Sequence, residues 1–158
     1  MNRPLLLSAL ILAAFATVSV SPASAQPGDV TLGLNYPGAM IGYRRANWAF
    51  ELRGQGQNDT TLFGARVSRL FPLANSRHQL YVGVEGGRFE KKATAAVDKA
   101  TGGVGGAFVG LETFVTRHVS LAVDVGPYYA SASDAGESAA VFDFVANASV
   151  NFHWRGRP

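Results

Sequence analysis

The sequence predicts an all-β fold: an eight-stranded antiparallel up-and-down transmembrane β-barrel after an N-terminal signal peptide. Three observations lead there. Between Val141 and Trp154, one face carries Phe142, Phe144, Ala146, Ala148, Val150, Phe152 and Trp154, while Val141, Asp143, Val145, Asn147, Ser149, Asn151 and His153 share the other, mostly polar face. Period two over that length marks a strand, its aromatic and β-branched content agrees, and it reaches the ~9–11 residues that cross a bilayer at a tilt. At the other end of the chain, Arg3 precedes an almost wholly apolar run, Leu5 to Val20, and the small-residue pattern Ala23-Ser24-Ala25. That layout is a secretory signal peptide; it assigns residues 1–25 to the signal, places cleavage between Ala25 and Gln26, and leaves 26–158 as a single domain. Third, charged residues make up only 16% of the chain, against ~25% in ordinary soluble domains.

Composition also excludes some chemistry. There is no Cys, so disulfide stapling and thiol or Cys-metal sites are closed to this chain. Of 14 Lys and Arg, one (Arg3) lies in the signal, and the remaining 13 face 11 Asp and Glu. That balance is too even to argue for a nucleic-acid partner.

The elements follow in order. Val30, Leu32, Leu34 and Tyr36 alternate with Thr31, Gly33 and Asn35 in a first strand, broken at Pro37-Gly38. Ala39, Ile41 and Tyr43 form a second, with a tight turn at Arg45–Asn47, and Trp48, Phe50 and Leu52 a third, with a polar loop at Gly54–Asp59. Thr61 to Phe71 is the fourth, and Leu80, Val82 and Val84 mark the fifth. A bulge at Gly86-Gly87 would keep Arg88 on the polar face. After a loop at Glu90–Thr101, a sixth strand sets Ala107, Val109 and Leu111 against Phe108, Gly110, Glu112 and Phe114. Thr116–His118 is a turn, Val119, Leu121, Val123 and Val125 form the seventh strand, and Ser131–Ala139 reads as a small-residue loop before the eighth. If Pro37-Gly38 only kinked one long strand, the count would be seven. Eight is favoured because an even count puts both termini on one side, as in single-chain bacterial barrels.

Alternation alone does not say which face points outward. The polar face is built of Gly33, Gly42, Gly64, Gly83, Gly110, Gly126, Ser68, Ser120 and Ser149 with isolated charges, which suits a narrow, filled interior. Tyr43, Trp48, Tyr128, Tyr129 and Trp154 near strand ends suit interfacial girdles. Arg44, Glu51, Arg53, Arg66, Glu85, Glu112, Asp124 and Asp143 then fall inside. An ion path or proton relay is one reading of them; a paired plug is favoured, because charges confined in so narrow a space must pair. Lys91, Lys92 and Lys99 are read as a solvated loop, with lipopolysaccharide phosphates as the alternative contact. Gly102–Gly106 is not a phosphate loop, since a strand follows it.

The mature chain as a whole resembles the small outer-membrane β-barrel proteins of Gram-negative bacteria, the class of the OmpA transmembrane domain and OmpX. The residues that carry the resemblance are the signal peptide, the amphipathic strands, the turns at Arg45–Asn47 and Arg117-His118, and a last strand ending in aromatics. Gly110-Leu111-Glu112-Thr113-Phe114 and Asp124-Val125-Gly126-Pro127 add to it. The resemblance implies an outer-membrane location, contact with outer-membrane lipid and lipopolysaccharide, passage through the barrel assembly machinery, and a monomer without cofactors. One departure concerns assembly. Such proteins finish on an aromatic that the machinery reads, whereas Arg155-Gly156-Arg157-Pro158 follow Trp154 here.

The most enzyme-like fragment is His118-Val119-Ser120, which is similar to the His-x-Ser pair of outer-membrane lipid A deacylases. A hydrolase needs His as base and a carboxylate to orient it; no partner carboxylate is evident, and His118 falls in a turn. The expectation is therefore a non-enzymatic barrel with a structural, envelope-integrity or surface-interaction role. A membrane-embedded lipid acyl hydrolase and a soluble periplasmic ligand-binding barrel are the alternatives.

Overall fold

A computed structural model describes residues 29–35, 37–57, 59–73, 77–92, 100–134 and 137–155. The expected cleavage site at Ala25 and Gln26, Lys99, and the tail after Arg155 lie outside them. Eight strands follow one another: β1 (Asp29–Asn35), β2 (Gly38–Arg45), β3 (Trp48–Gln57), β4 (Thr60–Pro72), β5 (His78–Lys91), β6 (Ala100–Phe114), β7 (Val119–Asp134) and β8 (Glu137–Arg155). Each pairs antiparallel with the next, and β8 pairs with β1, so the sheet closes into an up-and-down barrel. Pro37-Gly38 is a turn, tied down by the Gly56 N–H donating to Pro37 O at 3.3 Å. The count is thus eight, and both ends of the sheet lie on one side.

The register gives the barrel its shape. Stepping across partners from Leu32 leads through Ile41, Leu52, Ala65, Gly86, Gly105 and Tyr129 to Phe142. Across the closing seam, however, Leu32 faces Phe152, so one circuit advances ten residues along β8. A stagger of that size in eight strands goes with a strand tilt of ~35–45° and an interior just wide enough for side chains. Strand length grows from 7 residues in β1 to 19 in β8. At the end opposite the termini, the rim therefore climbs around the barrel and drops at the seam, where β1 covers β8 only from Ser149 to Arg155.

Five strand ends extend into stretches read as loops. β3 continues to Gln57, β5 and β6 shrink the Glu90–Thr101 loop, Gly102–Gly106 lie inside β6, and β7 and β8 consume most of Ser131–Ala139. Ladder hydrogen bonds do not need side chains, so small residues can pair while showing no polar–apolar contrast. The bulge at Gly86-Gly87 is absent: both glycines sit in unbroken register against Ala65 and Gly64 on one side and Gly105 and Val104 on the other. Arg88 consequently points outward and is exposed, and Phe89 takes the inward position.

Four interior glycines share a purpose. Gly83 faces Phe108, Gly102 faces Phe89, Gly110 faces Tyr81 and Gly106 faces Tyr128 across their ladders. A Cβ on Gly83 would lie 2.6 Å from Phe108 Cζ, and one on Gly106 would lie 2.9 Å from Tyr128 Cγ. Four of the inward aromatic rings, Tyr81, Phe89, Phe108 and Tyr128, are each folded over a glycine on the neighbouring strand, an arrangement that pins register and fills the narrow lumen.

The polarity of the barrel is reversed relative to a soluble domain. Leu34, Leu52, Phe63, Val84, Phe142 and Phe144 are each 60% or more exposed on the wall, whereas Thr31, Arg44, Arg53, Arg66, Gln79, Glu112, Ser120, Asn151 and His153 are buried inside.

Candidate functional site in the barrel interior

Two polar clusters occupy the lumen, one toward the termini and one above it. The lower is built around Glu112 on β6, which is 1% exposed. Arg44 Nη2 from β2 lies 2.9 Å from Oε1 and 2.8 Å from Oε2. Gln79 Nε2 donates to Oε2, and Ser120 Oγ donates to Oε1. Asn151 Nδ2 reaches Oε1 at 3.3 Å. Beside it, Ser120 Oγ stands 2.8 Å from His153 Nε2, and His153 Nδ1 stands 3.1 Å from Thr31 Oγ1. These bonds close consistently with the imidazole proton on Nε2. Thr31 then donates to Nδ1, Nε2–H to the serine oxygen, and the serine hydroxyl to Glu112.

The upper cluster centres on Arg66 of β4. Its Nη1 and Nη2 bind Asp124 Oδ2 and Oδ1 at 2.9 and 2.8 Å, a bidentate pair, while Nε donates to Glu85. Tyr128 Oη accepts from Arg66 Nη2 at 3.0 Å and donates to Glu85 Oε2 at 2.8 Å. Arg53 Nη1 approaches Glu85 at 3.4 Å, and Tyr81 Oη and Asn147 Nδ2 donate to Asp124 at 3.1 and 2.8 Å. The Arg66 guanidinium stacks on Phe108 at 3.8 Å from the ring centre, which favours a planar cation. Planar, five-donor geometry is why one arginine can hold two carboxylates from different strands at once.

The expected interior charges are distributed as follows. Arg44 and Glu112 pair in the lower cluster; Arg53, Arg66, Glu85 and Asp124 meet in the upper. Glu51 is half-buried between them, in register with Arg66. Asp143 needs correction: it holds the inward register but is exposed, and its Oδ1 accepts from the Phe144 N–H at 2.7 Å. Above the short β1–β2 wall the lumen has no opposite side at the level of Asp143, so nothing buries it. Tyr128 is also misplaced as a girdle residue. It continues the register of Ala122, Asp124 and Gly126 into the lumen, where it is buried.

His118 and Ser120 are not neighbours in the sense a base and nucleophile require. His118 is exposed in the turn, and its Nδ1–H donates to His153 O at 3.1 Å. The histidine that does meet Ser120 is His153, whose place on the polar face of β8 was visible in the alternation. The polarity of this contact differs from a hydrolytic triad, in which the carboxylate orients the imidazole and the imidazole accepts the serine proton. Here the carboxylate takes the serine hydroxyl directly, and Ser120 is 0% exposed. Among the described residues no group of three or more His, Asp or Glu is placed to hold a metal ion. A scan against models of protein families finds no match, and a search of curated proteins finds no relative.

Proposed function

We propose that this chain is a non-enzymatic outer-membrane β-barrel protein of a Gram-negative envelope, exported by residues 1–25 and acting in envelope structure or surface interaction. The observation that carries this reading is the reversed polarity: an apolar outer wall around a charged, hydrogen-bonded lumen. In water such a wall would be a large sticky surface; in a bilayer it is solvated, and closure pairs β1 with β8 along the whole of β1. A soluble ligand-binding barrel would carry its apolar face inward instead. Aromatics support the placement: Trp48 and Trp154 lie at the end bearing the termini, Tyr129, Phe142 and Phe144 toward the other. Arg69 stacks over Trp48 at 5.2 Å, a pairing suited to the headgroup region.

The termini then face the periplasm, and the long β7–β8 hairpin faces outward with Lys91 and Lys92 at the same rim, within reach of lipopolysaccharide phosphates. Along β8, residues 137–148 have no β1 partner, which supports a surface role through strand addition. The burial of Ser120 and His153 speaks against acyl hydrolysis, since no lipid ester can approach a serine enclosed on all sides. Fractionation of the envelope tests the reading. The protein should sediment with outer membrane and begin at Gln26 by mass; recovery in the soluble periplasmic fraction would overturn it.

A further inference from the structure

The two interior clusters meet at a cavity of about 20 Å³ lined by Arg44 and Asn151 from the lower cluster, Arg53 from the upper, and Glu51 between them. Three buried polar atoms on these residues have no protein partner: Arg44 Nη1, Arg53 Nε and Asn151 Oδ1. The three residues are 95% or more buried, and a buried donor or acceptor without a partner is costly, most of all a charged one. Two N–H donors thus need an acceptor, and an amide oxygen needs a donor. An anion would satisfy the arginines but would lie beside Glu51, Glu112 and Asp124, which line the same cavity. A cation would suit Asn151 and Glu51 but would face Arg44 and Arg53. A water molecule offers both kinds of bond, and its size agrees, since a cavity needs about 10–15 Å³ of such space to hold one.

We infer that this cavity is a binding site for one trapped water, which bridges Arg44 and Asn151 to Arg53 and Glu51 and so joins the two clusters into one plug. The site stands on the lumen geometry alone and is independent of where the barrel resides. Ala122 on β7 points into the same cavity, so Ala122→Val fills it with little change to the bonded groups. The test is water magnetic relaxation dispersion on the refolded full-length mature protein, wild type against Ala122→Val, together with a high-resolution crystal structure of the wild type grown with bromide. The expected result is one fewer long-lived internal water in Ala122→Val and, in the wild-type crystal, one water peak within hydrogen-bond distance of Arg44 Nη1 and Asn151 Oδ1. Equal numbers of long-lived waters in the two proteins, or bromide at that peak, would overturn the proposal. If Ala122→Val does not fold, the wild-type crystal decides: water at the peak sustains the site, and bromide or no ordered density there refutes it.

Discussion

At the residue scale the interior is held by a few multivalent side chains. Arg66 binds Glu85, Asp124 and Tyr128 together, so its removal strands two buried acids. Arg66→Ala should lower stability by about 3–5 kcal/mol, the cost of leaving a buried charge unpaired, whereas outward-facing Val123→Ala should lose only about 1 kcal/mol. Urea unfolding followed by gel mobility reads both, and equal midpoints for Arg66→Ala and wild type would contradict the plug. Ser120→Ala removes a donor to Glu112 and an acceptor for His153. It should cost about 1–2 kcal/mol and leave the lipid A mass spectrum of the host unchanged; an acyl chain that reappears in lipid A of the mutant strain would restore the hydrolase reading. Side-chain register was legible in the sequence wherever polar and apolar residues alternate, which places Arg44, Arg53, Arg66, Glu85, Glu112 and Asp124 on one face. It was not legible at Arg88, because a glycine pair reads equally as a bulge or as plain strand. Whether an inward residue is covered depends on the height of the opposite wall, which is why Asp143 escaped the reading.

At the scale of the element, strand identity comes from alternation and strand length from pairing. The stretches around Gly102–Gly106 and Ser131–Asp134 carry no contrast between faces, so their membership in β6 and β7 appears only when partner strands supply the ladder. The pairing of Tyr81, Phe89, Phe108 and Tyr128 with facing glycines was hidden for a related reason. It is a relation between strands, and sequence shows only one strand at a time. Its consequence is measurable. Gly83→Ala would push a methyl group against Phe108 and the Val67 carbonyl and should destabilise by about 1–3 kcal/mol, as overpacking does. Gly86→Ala, which meets nothing within 4 Å, should be neutral or stabilising by about 0.5 kcal/mol through reduced freedom of the unfolded chain. Matching losses at the two positions in urea titrations would refute the ring-over-glycine packing.

For the whole molecule, tilt and strand length set the wall height. At ~3.3 Å per residue and a ~40° tilt, β1 rises about 18 Å and β8 about 50 Å, against an apolar band of roughly 25 Å in outer-membrane barrels. On the proposed membrane reading, seven residues would be barely a span on the β1–β2 side, while the upper part of β8 would stand clear of the bilayer. With the lumen filled by paired charges, a planar bilayer containing the protein should show no stable large conductance; persistent nanosiemens steps would mean an open pore.

The claim that the apolar wall meets lipid has a built-in probe. The chain has two tryptophans, Trp48 and Trp154, both half exposed on the outer wall. In vesicles, lipids brominated on the acyl chain near the headgroup should quench most of their fluorescence, while aqueous iodide should quench little. Strong iodide quenching with no effect of brominated lipid would place that wall in water and contradict the account.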